Sequence, residues 1–272
     1  MRGASRAALA AAKERLSATL VGGAATAATT IGDDLFGVTG LLDAEPGLRR
    51  ALSDPSRDAA ERAGLAQSLL SGRISDGALD QVSALSSARW SDSGDLADAT
   101  EQLGVLAIAE SADIAGQLDE LEDQLFRFGR VVGANPDLRS ALSNRLVAEQ
   151  GRRGIVTELL TGKVVDSALR LITQATVRPR GRSLDASLEF YANLVAELRE
   201  RLVAEVHVAV PLTDSQRGRL AAALVAAYGH DVHLNVVLDP QVLGGMSVRI
   251  GDELINGSVA SRLAELRRDL AA

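Results

Sequence analysis

Cysteine is absent from this chain of 272 residues, and aromatic residues make up only 3% of it. Without thiols the chain forms no disulfide and no thiolate metal site, which fits a reducing compartment such as the cytoplasm. Hydrophobic residues nevertheless amount to 46%. The cores must therefore consist mainly of leucine, alanine and valine, and small aliphatic side chains of this kind suit closely packed helices.

Long apolar runs and a positive charge balance are also missing. No stretch approaches the roughly 20 apolar residues of a membrane-spanning helix, so we expect no direct membrane insertion. Lys13, Glu14 and Arg15 interrupt the apolar start of the chain, which argues against a signal peptide. Nucleic acid is not expected as a partner, because the net charge is −7 and phosphate contacts need clustered cations. The most basic stretch, residues 178–182, is short and contains a proline, so we interpret it as a solvated loop.

The sequence predicts no catalytic residue, no cofactor and no metal site. A glycine-rich phosphate loop that ends in Lys-Ser or Lys-Thr does not occur. The acidic residues between Asp119 and Asp123 are typical of a charged helix face. His230 and His233 have a spacing that suits a metal, but a turn and an outer strand face are predicted there, which favours surface histidines. A hydrolase built on these histidines is the enzymatic alternative.

An internal repeat organises the first two thirds of the chain. Residues 46–79 align without a gap with residues 136–169, at an offset of ninety and with fourteen identities in thirty-four positions. Identical glycines and an identical proline argue against a shared Ala/Leu bias, so we predict a duplicated unit. The leucine spacing in each copy is helical. We therefore expect a mainly α fold with one helical bundle over residues 1–95 and a second over residues 96–200, in the same helix order.

Three local features of the helical region lead to further expectations. Residues 96–132 contain no proline and predict either one long helix or two helices that break near Ser111. Trp90 lies near a unit boundary and is expected to anchor either the core or an interface. Asp54 followed by Pro55 predicts the start of a helix.

The remaining segment, residues 204–272, predicts a small α/β domain. Alternating apolar residues around Val206, Val236 and Val248 indicate strands, and a brief fourth strand follows. A helix is predicted after the first strand, because Thr213 and Gln216 have the spacing of a capping box. A final helix is predicted from apolar residues at helical spacing, namely Val259, Leu263, Leu266 and Leu270. The order β-α-β-β-β-α favours a small sheet with helices on one face.

The same segment carries a sequence signature. Its residues are Asp239, Gly244, Gly245, Arg249, Ile250, Gly251, Asp252, Gly257, Ser258, Arg262 and Leu263. This combination resembles the C-terminal signature of the F-type ATP synthase delta subunit family, whose mitochondrial counterpart is the oligomycin sensitivity-conferring protein. Asn256 stands where the family usually has Asp, and Asn serves a turn equally well. Ordinary members have one helical domain, so the duplicated chain resembles the enlarged actinobacterial form.

The resemblance implies a non-catalytic stator subunit of the proton-translocating F-type ATP synthase. Such a subunit links the catalytic head to the peripheral stalk and the membrane sector, so that rotation is coupled to ATP synthesis. The resemblance also implies that the helical region binds the N-terminal helix of a head alpha subunit and that the C-terminal domain meets the stalk b subunit. The implied location is the cytoplasmic face of the cell membrane, held peripherally through the complex.

Two alternatives stay open at this point. Val259, Leu266 and Leu270 are the candidate contacts with the stalk, and the same side chains could instead pack on the sheet of their own domain. The whole chain could also be a free-standing helical adaptor that binds some other amphipathic helix.

Overall fold

The computed structural model describes residues 1–144, 146–201, 203–228, 233–239, 246–250 and 253–256. These residues form twelve α-helices and one four-stranded sheet. The chain divides into two compact units, Met1–Ala196 and Glu197–Ala272. The mainly α fold class with a small C-terminal sheet is confirmed.

The helices of the first unit repeat at the offset that the sequence predicts. The first copy consists of α1 (Gly3–Leu20), α2 (Ala25–Ala44), α3 (Pro46–Ser53), α4 (Ala59–Leu70) and α5 (Asp76–Ser87). The second copy consists of α6 (Ser93–Ile114), α7 (Leu118–Ala134), α8 (Pro136–Ser143), α9 (Glu149–Leu160) and α10 (Asp166–Val177), and α11 (Leu184–Arg201) follows. The bounds of α3, α4 and α5 recur in α8, α9 and α10 exactly ninety residues later, so the same helix order in both copies is confirmed.

An equivalent arginine in each copy binds carbonyl oxygens at the end of the equivalent helix. Arg62 donates from its two terminal nitrogens to carbonyl oxygens at the end of α5, at 3.0 and 3.1 Å. Arg152, ninety residues later, donates to two carbonyl oxygens at the end of α10, at 2.7 and 3.1 Å, and one of these acceptors, Val177, is the counterpart of Ser87. The last carbonyls of a helix lack an intrahelical partner, and a buried guanidinium satisfies two of them at once. The duplication therefore preserved internal bonds as well as helix lengths.

Helix α6 is the first helix of the second copy and packs against helices of both copies. It packs along α1, α2, α3 and α5 of the first copy and against α7 and α10 of the second. A helix that is surrounded in this way must be apolar on most of its circumference, and the run from Leu103 to Ala109 is buried at every position. The predicted division between residues 95 and 96 falls within this helix, and the three-part domain division stays a prediction.

The packing of α2 on α6 depends on glycine at the crossing. A Cβ atom added at Gly32 would lie 2.7 Å from the Ile108 side chain and 3.1 Å from the carbonyl oxygen of Gly104. A Cβ atom added at Gly104 would lie 2.9 Å from the ring of Phe36. The two backbones therefore approach each other more closely than alanine at either position allows.

The structure decides the three local expectations of the helical region. Residues 96–132 form two helices, because α6 ends at Ile114 and Gly116 adopts a left-handed φ of 67° before α7 begins. Trp90 is 8% exposed and donates from its indole nitrogen to the carbonyl oxygen of Leu85 at 2.8 Å, so it anchors the core. The helix start predicted at Asp54 is wrong. Its carboxylate instead accepts the N–H of Ser56 at 2.9 Å in a turn, and α4 begins only at Ala59.

The second unit contains the predicted β-α-β-β-β order as far as it is described. Its elements are β1 (Val203–Val208), α12 (Asp214–Tyr228), β2 (His233–Leu238), β3 (Met246–Ile250) and β4 (Glu253–Asn256). The sheet order is β2-β1-β3-β4, with β1 parallel to β2 and the other pairs antiparallel. A parallel pair needs a crossover connection, which α12 supplies. The predicted final helix from Val259 lies outside the described residues.

The helix α12 begins at the predicted capping box and closes the core of this unit. Thr213 accepts the N–H of Gln216 at 3.3 Å, and the Gln216 side chain accepts the N–H of Thr213 at 2.9 Å. The buried core lies between the sheet and the helix and consists of Ala204, Val206, Val208, Leu224, Val248 and Ile250.

The glycine crossing gives a matched pair of substitutions on one helix. Gly32→Ala forces a methyl group into the contact with α6, and we expect overpacking of this kind to lower the free energy of unfolding by about 1 to 3 kcal/mol. Gly37→Ala places its methyl group in open space, and we expect it to stabilise the helix by about 0.5 to 1 kcal/mol. Urea unfolding followed by circular dichroism measures both. Equal effects of the two changes would contradict the close crossing.

Candidate functional site

The clearest helix-binding face of the molecule lies on α6 and α10, and α2 of the first copy occupies it. Beyond the glycine crossing with α6, Asp33 of α2 forms an ion pair with Arg170 of α10. Arg170 also donates to Asp166, one turn earlier in α10, at 2.7 Å. Partial burial opposes the charge of Arg170, but the bonds to Asp166 and Asp33 raise the pKa of this guanidinium above its ordinary value. Arg170 therefore forms a charged contact between the two copies.

A cleft of about 520 Å³ runs beside this contact. It is bounded by α2 on one side and by α9 and α10 on the other. Across the cleft, Phe36 and Gly37 of α2 face Leu169, Thr173 and several charged or polar residues of the second copy. The cleft is thus the open edge of the interface between α2 and the helices of the second copy.

A buried carboxylate on α6 binds side chains from the segment that follows α10. The side chain of Glu101, midway along α6, is fully buried. It accepts hydrogen bonds from Arg180 at 2.9 Å, from the hydroxyl group of Tyr191 at 2.8 Å and from Arg182. The Arg182 guanidinium also lies over the ring of Phe190, 4.4 Å from its centroid. These partners satisfy a charge that would otherwise be costly to bury.

The same cluster reaches α2. Arg180 donates to both carboxylate oxygens of Asp43, at 2.7 and 3.1 Å, and its Nη1 lies 2.9 Å from Asp98. Burial opposes the charge of Arg180, but the bonds to Asp43 and the charges of Glu101 and Asp98 raise its pKa above the ordinary value. Burial and the charge of Glu101 also raise the pKa of Tyr191 well above its ordinary value. The tyrosine hydroxyl therefore stays protonated and donates to Glu101.

The interpretation of residues 178–182 as a solvated loop is wrong. The side chain of Arg180 is only 9% exposed, and its backbone takes a left-handed φ of 50°, followed by Gly181 at 80°. This turn directs two arginines inward, where three carboxylates need counter-charges. The available signal was Glu101 itself, because it shares a helical stripe with Ala97, Val105 and Ile108. A lone carboxylate on such a stripe requires a cationic partner.

The described part of the sequence signature lies in the second unit. The N–H of Asp239 donates to the carbonyl oxygen of Val208 at 2.9 Å, and its carboxylate lies 3.6 Å from Nδ1 of His207. Ile250 belongs to the core, whereas Arg249 is exposed on β3. The other signature and contact residues lie outside the described residues, and these are Gly244, Gly245, Gly251, Asp252, Gly257, Ser258, Val259, Arg262, Leu263, Leu266 and Leu270. Their roles stay predictions.

Two general features complete the description. In the ranges that the structure covers, no group of three or more His, Asp or Glu side chains is placed to hold a metal ion. No helix within those ranges is long and apolar enough to span a bilayer. His230 lies outside them, so the interpretation of the paired histidines as surface residues stays a prediction.

The buried cluster and an exposed ion pair give a test of what burial contributes. Glu101→Gln removes the counter-charge of two arginines, and breaking a buried pair of this kind costs about 3 to 5 kcal/mol. Asp123→Asn removes the exposed partner of Arg127, and we expect little change because solvent screens such pairs. Urea unfolding of both variants at neutral pH measures the difference. Similar losses would contradict the central position of Glu101.

Comparison with known proteins places the chain among subunits of one complex. A family model described as ATP synthase delta (OSCP) subunit matches residues 105–270, from the middle of α6 onward. The ATP synthase subunit delta of Streptomyces avermitilis is 48% identical over 270 residues, which cover 99% of this chain and 98% of the relative. The corresponding subunit of Kineococcus radiotolerans is 46% identical over 269 residues, which cover 99% and 97%.

A solved structure matches more distantly. A chain of the Toxoplasma gondii mitochondrial ATP synthase hexamer is 21% identical, with a TM-score of 0.32 over 62% of this chain and 95% of that chain. The family model covers the second copy, whereas the actinobacterial relatives match the chain over its full length and thus include the first copy. The family model and the full-length actinobacterial relatives show that the chain belongs to the ATP synthase delta (OSCP) subunit family, whose members are structural subunits of the ATP synthase without an active site of their own.

Proposed function

We propose that this chain is the connector between the catalytic head and the peripheral stalk, bound at the cytoplasmic face of the cell membrane through the complex. The helical unit binds the N-terminal helix of a head alpha subunit. The C-terminal unit binds the end of the stalk b subunit. The observation that carries the proposal is the combination, in one chain of this family, of two compact units, one helical and one with a four-stranded sheet.

The helical unit contains, between its own helices, a contact of the kind that is proposed for the head. Within it, α2 lies on α6 and α10 through a glycine crossing, an apolar contact with Ile108 and an ion pair at Arg170. An amphipathic helix from another subunit meets the same requirements when it lies in a groove between two helices. The bundle thus has the kind of surface that the proposed contact with the head needs.

The stalk contact is assigned to the C-terminal unit by charge and by hydrophobic spacing. Val259, Leu266 and Leu270 form one apolar stripe in the sequence, and Arg262, Arg267 and Arg268 accompany it. An apolar stripe flanked by arginines suits a partner helix that carries acidic residues beside its own apolar face. This assignment completes a connector with two different ends.

Removal of residues 200–272 separates the two ends. We expect the shortened chain to lose the b subunit and to keep the alpha subunit, because the helical unit has its own core. Pull-down with each purified partner measures the two contacts independently. Binding to alpha also serves as the control that the shortened chain has folded. A shortened chain that kept the stalk and lost the head would reverse the assignment of the two ends.

The purified chain should neither hydrolyse ATP nor bind it tightly, because the sequence has no phosphate-binding loop and a structural subunit needs none. Isothermal titration with Mg-ATP and a phosphate-release assay measure both properties. Turnover that a point substitution in this chain abolished would overturn the structural role.

The free-standing adaptor is separated from the connector by co-purification. A connector is recovered from detergent extracts with the head, the stalk and the membrane sector together. An adaptor is recovered with its own helical partner and without the other subunits of the synthase.

A further inference from the structure

One end of the cleft between α2 and the helices α9 and α10 carries an excess of positive charge. Arg178 lies there, directly after α10, and donates from its Nε atom to Glu149 of α9 at 3.4 Å. Arg153 follows Glu149 by one helical turn and also lines the cleft. It is exposed and has no ion-pair partner among the described residues. Two guanidinium groups therefore lie at this end with a single carboxylate.

The opposite end of the cleft has the reverse balance. Arg170 forms ion pairs there with both Asp33 and Asp166, so carboxylates outnumber guanidinium groups. Phe36 and Leu169 add apolar surface to the cleft. An anion that enters is therefore directed away from the aspartates and toward Arg153, because like charges repel at short distance.

A buried amide group without a partner lies beside the two arginines. Gln174, one helical turn before Arg178 on α10, lines the cleft and is 8% exposed. Its side-chain nitrogen has no hydrogen-bond partner among the described residues, and a buried donor without a partner is costly. The terminal torsion of glutamine is broad, so the amide can turn toward an acceptor in the cleft. Arg153, Gln174 and Arg178 are named here the donor end of the cleft.

Helix α2 leaves room for Arg178 at one position. A Cβ atom added at Gly40 would overlap the Arg178 guanidinium, so the arginine occupies space that any other residue of α2 would fill. The described hydrogen bond of this arginine uses Nε and leaves its two terminal nitrogens for a ligand. The donor end is thus shaped by both copies of the repeat.

The first copy shows that the helical fold does not need the three donors. Ninety positions earlier each of them is replaced by alanine, at Ala63, Ala84 and Ala88. The helices α4 and α5 nevertheless have the same lengths as α9 and α10. By contrast, Arg62 and Arg152, which bind the end of a helix, are arginine in both copies. Helix packing therefore does not explain the donor end, and a ligand does.

We propose that the donor end of the cleft binds a phosphate group. A planar carboxylate is satisfied by one guanidinium fork, whereas donors of three residues on both sides of the cleft suit the oxygens of a tetrahedral anion. The bound phosphate competes with Glu149 for Arg178, since their hydrogen bond is long. This site is separate from the contacts proposed for the connector.

The rest of the cleft limits the kind of phosphate compound. Its volume of about 520 Å³ is in the range of small-molecule pockets and exceeds that of a free phosphate ion. The apolar surface of Phe36 and Leu169 suits an organic group attached to the phosphate. Asp33 and Asp166 repel further anionic groups, so a phosphate monoester fits better than a di- or triphosphate.

The test is calorimetric titration of the full-length chain with two probes, glycerol phosphate and inorganic phosphate, at low ionic strength. We expect saturable binding of both, tighter for glycerol phosphate, and weaker binding as salt is added. The side-chain amide resonance of Gln174 is expected to shift in the NMR spectrum during the titration, because its nitrogen gains an acceptor.

Four variants examine the donors one at a time. Arg153→Ala and Gln174→Ala introduce the residue of the first copy, and we expect Arg153→Ala to weaken binding about tenfold, the effect of losing one charge-assisted hydrogen bond. Glu149→Gln frees Arg178 and is expected to tighten binding about threefold. The matched control is Arg50→Ala, which removes an exposed arginine of α3 outside the cleft and leaves the affinity unchanged. Circular dichroism confirms that each variant is folded.

The outcomes decide the site first and the ligand second. Weaker binding by Arg153→Ala and Gln174→Ala, with tighter binding by Glu149→Gln, supports the site. A preference for glycerol phosphate then assigns it to a monoester, and a preference for inorganic phosphate assigns it to the free ion. Absence of saturable binding, equal weakening by Arg50→Ala, or unchanged binding by Gln174→Ala overturns the proposal.

Discussion

The helical unit depends on one buried carboxylate. Glu101 has no contact with water, and a charge in that position costs several kcal/mol unless cationic and polar partners surround it. Its partners come from a turn and a helix far along the chain, Arg180, Arg182 and Tyr191. Because Arg180 also binds Asp43, the requirement to satisfy one carboxylate fixes α2, α6 and the start of α11 with respect to one another.

Local chemistry accounts for the features that the sequence predicted well. The ungapped repeat placed the helices of the second copy, because equal spacing of apolar residues folds into equal helices. The capping box at Thr213 marked the start of α12, since its two hydrogen bonds form between residues three positions apart. The positions of the four strands along the chain followed from alternation in the same way, whereas their order in the sheet was not predicted. The signature residues beyond β4 were identified by resemblance, and their contacts lie outside the described residues.

Contacts between distant segments account for the features that the sequence could not predict. Phe36 and Phe126 occupy the same position of the repeat and look equivalent in the sequence. Phe36 is buried against the second copy, whereas Phe126 is 62% exposed. No local pattern distinguishes them, because the difference lies in which copy has a neighbour on that side. The inward turn at Arg180 was not predicted for the same reason, since the carboxylate that Arg180 binds lies seventy-nine residues earlier.

The shared helix α6 has a mechanical consequence. Two domains joined by a flexible linker would bend at that linker under load. Part of each applied rotation would then be taken up by elastic deformation of the linker. Here the two copies meet inside a continuous helix of 22 residues, so bending at the boundary requires backbone hydrogen bonds and buried packing to break together. A part of the chain that bears load in a rotary machine thus gains length without gaining a hinge.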